Sequence, residues 1–119
     1  MRGDVVLSIE AACRAKMAFV PAVVALEIAQ KWFAGKLRFS RTGTAREWYE
    51  QTMLAFRLRQ LPISAGVALA AYELPEPFHK DPADRLVVAT GRLLDAPVVT
   101  VDRRILAYGH LGHVRTISY

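Results

Sequence analysis

A chain of 119 residues suffices for one hydrophobic core but not for several domains. With 53% hydrophobic residues and a mean hydropathy of +0.18 it is not composed like a disordered chain, and no apolar run nears the roughly 18 residues of a membrane-spanning helix. Lys and Arg number 16 against 11 Asp and Glu, so the net charge is +5 and the pI about 9.8, a surplus that favours RNA, DNA or an acidic protein as partner.

Cys13 is the one cysteine, so no internal disulfide or thiolate metal cluster is expected and a reducing, cytoplasmic setting is. Arg2, Asp4, Glu10 and Arg14 interrupt the stretch where a secretory leader needs its apolar core. From Asp4 to Lys16, apolar Val5, Val6, Ile9, Ala12 and Cys13 recur at helical spacing. Met17 to Val20 reads as a short strand ended by Pro21. Ala22 to Ala34 is a helix stopped by Gly35, and Lys36 to Gly43 a polar loop carrying Arg38 and Arg41. Thr44 to Phe56 is an amphipathic helix anchored by Trp48, Met53 and Phe56. Leu58 to Leu61 is a strand, and Ser64 caps an alanine-rich helix through Glu73. Leu74-Pro75-Glu76-Pro77 is a stiff linker.

The most informative stretch follows, from His79 to Arg104. Asp81 is placed to cap a helix with Pro82 at its first position, and Asp84 falls in the first turn, near the positive end of the helix dipole. The helix runs to Leu94 and stops at Asp95-Ala96-Pro97. Val98 to Val101 is an apolar, β-branched run, the pattern of a strand covered on both faces. Asp102 closes it and caps a short helix through Tyr108, and a last strand lies around Val114 to Ser118. The alternation of helices and short strands predicts a three-layer α/β/α architecture with a mostly parallel sheet, in a single domain.

Each acid has two readings. Glu27 sits on an otherwise uncharged helix, where it either pairs with Lys31 one turn later or serves as a ligand. Asp81 with Asp84 resembles a capping box, and Asp102 is equally a cap. The functional reading comes from coincidence: Asp84 opens the helix leading into the third strand, Asp102 lies at that strand's carboxyl end, and Glu27 lies on the helix after the first visible strand, so all three can converge on one edge of the sheet. Carboxylates gathered without His or Cys suit Mg²⁺ or Mn²⁺, ions that hold a phosphodiester and activate water for in-line attack. Arg85, Arg103 and Arg104 are candidate phosphate contacts or ordinary surface ion pairs. Lys31, Lys36, Arg38 and Arg41 extend a basic rim or simply face solvent. His79, His110 and His113 do not form a convincing zinc site, and Trp32, Phe33 and Trp48 read as core or partner-contact aromatics.

The segment HKDPADRLVVATGRLLDAPVVTVDRRILAYG, with VPAVVALEIAQKWFAGKL upstream, resembles the PIN-domain ribonucleases, and within them the VapC-type toxins of toxin–antitoxin pairs. The likeness runs from about Ile9 to Leu106. It implies an acidic quartet that gathers Mg²⁺ or Mn²⁺ and cleaves single-stranded RNA, with Glu27, Asp84 and Asp102 matching the second, third and fourth acids. It also implies a cognate antitoxin that blocks the site, and a homodimer. Arg85, Arg103 and Lys31 are then the expected RNA contacts.

The sequence departs from that pattern in one respect. Family members begin with a buried strand that carries the first acid, followed by Thr and His and a further helix, and no such stretch precedes the helix at Asp4. The expectation is a PIN-like fold lacking its central first strand, in which the strands near Phe19 and Leu58 do not pair with those near Val99 and Thr116. A metal site short of one acid predicts weak or absent activity. The competing expectation is a non-catalytic remnant that docks an antitoxin or partner chain through Trp32, Trp48 and the basic rim. A DNA nuclease of the same fold is a third.

Overall fold

The computed structural model describes residues 3–37 and 43–119, residues 3–6 by backbone alone. Arg38 and Arg41 of the basic rim therefore lie outside the described residues, as does the side chain of Asp4. The elements run α1 (Gly3–Arg14), β1 (Phe19–Pro21), α2 (Ala22–Phe33), α3 (Ala45–Ala55), β2 (Arg59–Leu61), α4 (Ala65–Ala70), α5 (Pro82–Leu94), β3 (Val98–Thr100), α6 (Arg103–His110) and β4 (Thr116–Ser118). They fall into two compact units, one built on Ile63–Tyr119 with the start of α1, the other on Leu7–Pro62.

In the Leu7–Pro62 unit β1 pairs in parallel with β2, Phe19 opposite Arg59 and Pro21 opposite Leu61. Parallel neighbours need a long crossover, which α2 and α3 supply. Thr44 caps α3 by accepting the Glu47 N–H at 3.1 Å, and Gly35 takes the left-handed conformation (φ 74°) expected after α2. Val23 of α2 is buried. Phe56 is not the anchor its spacing predicts: it follows the last turn of α3 and is exposed, as is Phe33, at 94%.

In the Ile63–Tyr119 unit β3 pairs in parallel with β4, Val98 opposite Thr116 and Thr100 opposite Ser118, with α6 as the crossover. The four strands thus form two separate two-stranded sheets, β1–β2 and β3–β4, rather than one continuous sheet. Ala71, Leu74, Val88, Ala89, Ile105, Tyr108 and Val114 form the core of this unit, with Phe78, Leu86 and Val98 against it. Helix α5 lies close on β3: a Cβ on Gly91 would come within 2.7 Å of the Val98 side chain and 3.2 Å of the Ala96 carbonyl, so only glycine fits. Strand β3 is not covered on both faces. Val98 turns to the core, but Val99, which points to the opposite face, is 44% exposed, and Val101 is exposed too. Uniformly apolar composition does not tell a two-sided strand from one whose outer face stays open.

Helix α4 ends at Ala70, three residues before its predicted end at Glu73. In a longer helix the Ala71 carbonyl would accept from residue 75, which is proline and has no N–H. The last turn tightens instead, with Tyr72 N–H on Leu69 and Glu73 N–H on Ala70, and the Ala71 carbonyl is taken by Arg85 Nη1 at 3.0 Å. Arg85 also donates from Nε to the His79 carbonyl (3.0 Å), and from Nη2 to the Phe78 carbonyl (3.1 Å) and Glu76 Oε1 (3.0 Å). Its cation lies over the rings of Tyr72 (5.2 Å) and Phe78 (5.9 Å).

The reading of Arg85 as an RNA contact is thereby corrected. The residue is 5% exposed and spends four of its five N–H donors inside the fold. Replacing Arg85 with Met keeps the stem's bulk but strands three carbonyls. Arg85→Met should lower the unfolding free energy by about 3 kcal/mol or more, measured as a shift of the urea midpoint at unchanged slope.

Candidate active site

The candidate site is built at the start of α5 and α6. Asp81 caps α5 through Oδ1, which accepts the Ala83 N–H at 3.0 Å, and Pro82 occupies the first helical position. Both were legible from the sequence. Asp84, three residues on, does not complete a capping box. Its carboxylate instead meets His79, whose Nε2 lies 3.0 Å from Asp84 Oδ2; the two side chains are only 18% and 16% exposed. That approach has the distance of an ion pair but not the angle of a hydrogen bond, and Nε2 is buried with no hydrogen-bond partner. An unsatisfied buried donor costs about 1–3 kcal/mol, so such groups call for a reason.

Asp102 caps α6 with one oxygen. Its Oδ1 accepts from the N–H groups of Arg104 (2.9 Å) and Ile105 (3.1 Å), while its own N–H donates to Thr100 Oγ1 at 3.0 Å. Its Oδ2 is 3.9 Å from Arg104 Nη2, a loose pair at a half-exposed site. Asp84 and Asp102 are near enough to repel. Burial pushes the Asp84 carboxyl above its ordinary range, and the charges of Asp81 and then Asp102 push it further the same way. His79 and Arg104 oppose that shift.

The structure thus brings Asp84, Asp102 and Asp81 into one electrostatic neighbourhood of the Ile63–Tyr119 unit. Glu27 belongs to the other unit, half-buried on α2. Among the described residues no three or more His, Cys, Asp or Glu side chains are arranged to hold a metal ion, so neither unit alone assembles the expected three-acid site. The donor chemistry still fits a hard cation. Mg²⁺ keeps several waters and needs only one or two protein carboxylates, and positive charge would offset both the burial of Asp84 and the repulsion from Asp81 and Asp102. Of the expected RNA contacts, Arg103 at the first position of α6 and Lys31 in the last turn of α2 are exposed.

His79 is the residue that the sequence reading missed. Weighing it with His110 and His113 as a zinc set hid its place two residues before an N-cap, where the chain folds back on the first helical turn. His110 is exposed as expected, but His113 is half-buried against the Tyr108 ring at 4.7 Å.

Comparisons with known proteins identify the family and the fold class. The PIN domain family matches residues 4–111. A PIN domain is a three-layer α/β/α fold, and the helices and short parallel strands found here are of that class. The chain is 37% identical over 79 residues to Ribonuclease VapC22 of Mycobacterium tuberculosis; the match covers 66% of this chain and 59% of that relative's length. No solved structure matches the chain. No helix among the described residues is long and apolar enough to cross a membrane.

The raised pKa of Asp84 sets the sign of a pH effect. A carboxyl that binds its proton more readily when folded penalises the native state at neutral pH, and the penalty fades as pH falls through the folded pKa. Without added metal, Asp84→Asn should therefore melt higher than the parent protein at pH 7. The gap should close on acidification into the carboxylate range, as read by paired thermal melts across pH.

Proposed function

This chain belongs to the PIN-domain family, and from that premise we propose that it is a metal-dependent ribonuclease of the VapC toxin type, hydrolysing RNA phosphodiester bonds. The observation that carries the proposal is the buried carboxylate of Asp84, crowded by Asp81 and Asp102 where α5 and α6 begin. In this reading Asp84 and Asp102 would hold Mg²⁺ or Mn²⁺ within the Ile63–Tyr119 unit, and Glu27, the remaining acid that the resemblance singles out, is carried by the Leu7–Pro62 unit. The cation, when bound, supplies charge to the scissile phosphate and lowers the pKa of water.

The remaining chemistry belongs to the chain's own residues. Asp102 divides its carboxylate, Oδ1 fixing the start of α6 and Oδ2 left for a ligand. The first-turn N–H groups of α5 and α6 favour negative charge at that end of each helix. Arg103, exposed on α6, and Lys31, exposed on α2 of the other unit, are our candidates for RNA phosphate contacts, which hold a strand without reading its bases. Arg104, on the rim of the acids, adds a further cation. The single PIN-like domain, the cytoplasmic setting, the antitoxin partner and the homodimer are parts of the same proposal.

The test is a cleavage assay on matched single-stranded RNA and DNA, with and without Mg²⁺ or Mn²⁺. The expected result is weak cleavage, of RNA only, abolished by chelation and lowered about 100-fold or more in Asp84→Ala, a loss of a few kcal/mol of transition-state stabilisation. Cleavage that survives chelation or the substitution would overturn the metal site. Absence of cleavage by a protein that forms a stable complex with a partner would favour the non-catalytic remnant.

A further inference from the structure

His79 is a buried polar group for which the proposed chemistry has so far given no use. Both its ring and the backbone that carries it are held. It stacks at a tilt on Phe78, centroids 4.5 Å apart. Its own carbonyl is gripped by Arg85 Nε at 3.0 Å, and the carbonyl before it by Arg85 Nη2 at 3.1 Å. Arg85 follows Asp84 directly in sequence, so the same helical turn that carries the acid also anchors the backbone that carries the imidazole. The result is a ring with Nε2 buried, unpartnered, and 3.0 Å from Asp84 Oδ2.

We propose that His79 is a positioning residue for Asp84: its Nε2–H holds Oδ2 of the carboxylate, so that Oδ1 is the oxygen available to a divalent cation. This rests on the reading of Asp84 as a metal ligand. A small rotation of a carboxylate already 3.0 Å away turns the contact into a hydrogen bond. Carboxylate ligands are commonly oriented by such a partner, and loss of it weakens metal affinity by about 10–100-fold. The contact also biases how the acid binds, because an oxygen that accepts an imidazole N–H has less electron density to offer a cation than its twin. A purely structural His79, filling space beside Phe78, predicts that any side chain of like shape serves.

Three variants of the full chain separate these accounts. His79→Gln keeps an amide N–H near the place of Nε2; His79→Asn carries its amide nearer the place of Nδ1, too short to reach; His79→Leu has no donor. Each is titrated with Mn²⁺ by calorimetry in the absence of RNA, and melted to check folding, with Asp84→Asn alongside. The expected result is Mn²⁺ affinity within about threefold of the parent for His79→Gln, and at least about tenfold weaker for His79→Asn and His79→Leu at similar melting temperature. Equal affinity in His79→Asn and His79→Gln overturns the positioning role, and that comparison stands even if His79→Leu fails to fold. Should the parent protein not bind Mn²⁺, or Asp84→Asn bind it equally well, the ligand role of Asp84 falls first. A parent that binds and an Asp84→Asn that does not, with all His79 variants unaffected, removes His79 alone.

Discussion

The Ile63–Tyr119 unit depends on one buried cation. The linker from Leu74 to Pro77 contains two prolines, so it has few N–H groups with which to hold its own backbone or satisfy its neighbours' carbonyls. The guanidinium of Arg85 supplies the missing donors. It takes the carbonyls of Ala71, Phe78 and His79, ties down Glu76, and lies against the faces of Tyr72 and Phe78. Tyr108 of α6 adds a hydrogen bond from its hydroxyl to the Pro75 carbonyl. The end of α4, the linker and the start of α5 thus become one body. A lysine could not do this, because its single ammonium lacks the planar fork that reaches carbonyls on different sides at once.

Burying a charge is ordinarily unfavourable, and Arg85 shows how the expense is met. Its one anionic partner, Glu76, keeps most of its side chain in water, where the guanidinium and the Phe78 N–H hold its carboxyl below the usual range. The remaining donors meet neutral carbonyls and aromatic faces. The cation is therefore solvated by the protein rather than neutralised by it, which avoids desolvating a second full charge.

What could be read from the sequence was local, and what could not was long-range. Ser64, Asp81 and Asp102 each cap the helix that the sequence assigns to them, because a cap is a contract between a side chain and an N–H two or three residues on. Gly35 ends α2 for a similarly local reason. Asp95, by contrast, ends α5 in the left-handed conformation (φ 48°), with Arg115 bonded to its carbonyl, a partner twenty residues away that no local pattern reveals. The same distance hid the fate of Arg85, whose charge suggested a surface and whose partners lie up to fourteen residues back. Val99 was misjudged because composition records that a strand is apolar but not how many of its faces find a neighbour. Of the site, the acids were visible as residue types in a motif, while the imidazole that orders one of them was visible only once the turn before α5 had been folded.

Asp84 and Arg85 show why that turn can serve both stability and chemistry. Neighbours on a helix point about 100° apart, so an acid and a base side by side cannot satisfy one another. Arg85 is turned into the body of the unit, and Asp84 is thereby turned toward Asp81 and Asp102. Had the two been four residues apart they would have formed an ordinary surface pair, and Asp84 would have had no reason to be perturbed. The geometry instead denies the acid its nearest cation and leaves it half-buried among like charges, with an imidazole on one oxygen. A carboxylate kept in that state carries an unmet demand for positive charge, set up by its half-burial and by the like charges of Asp81 and Asp102.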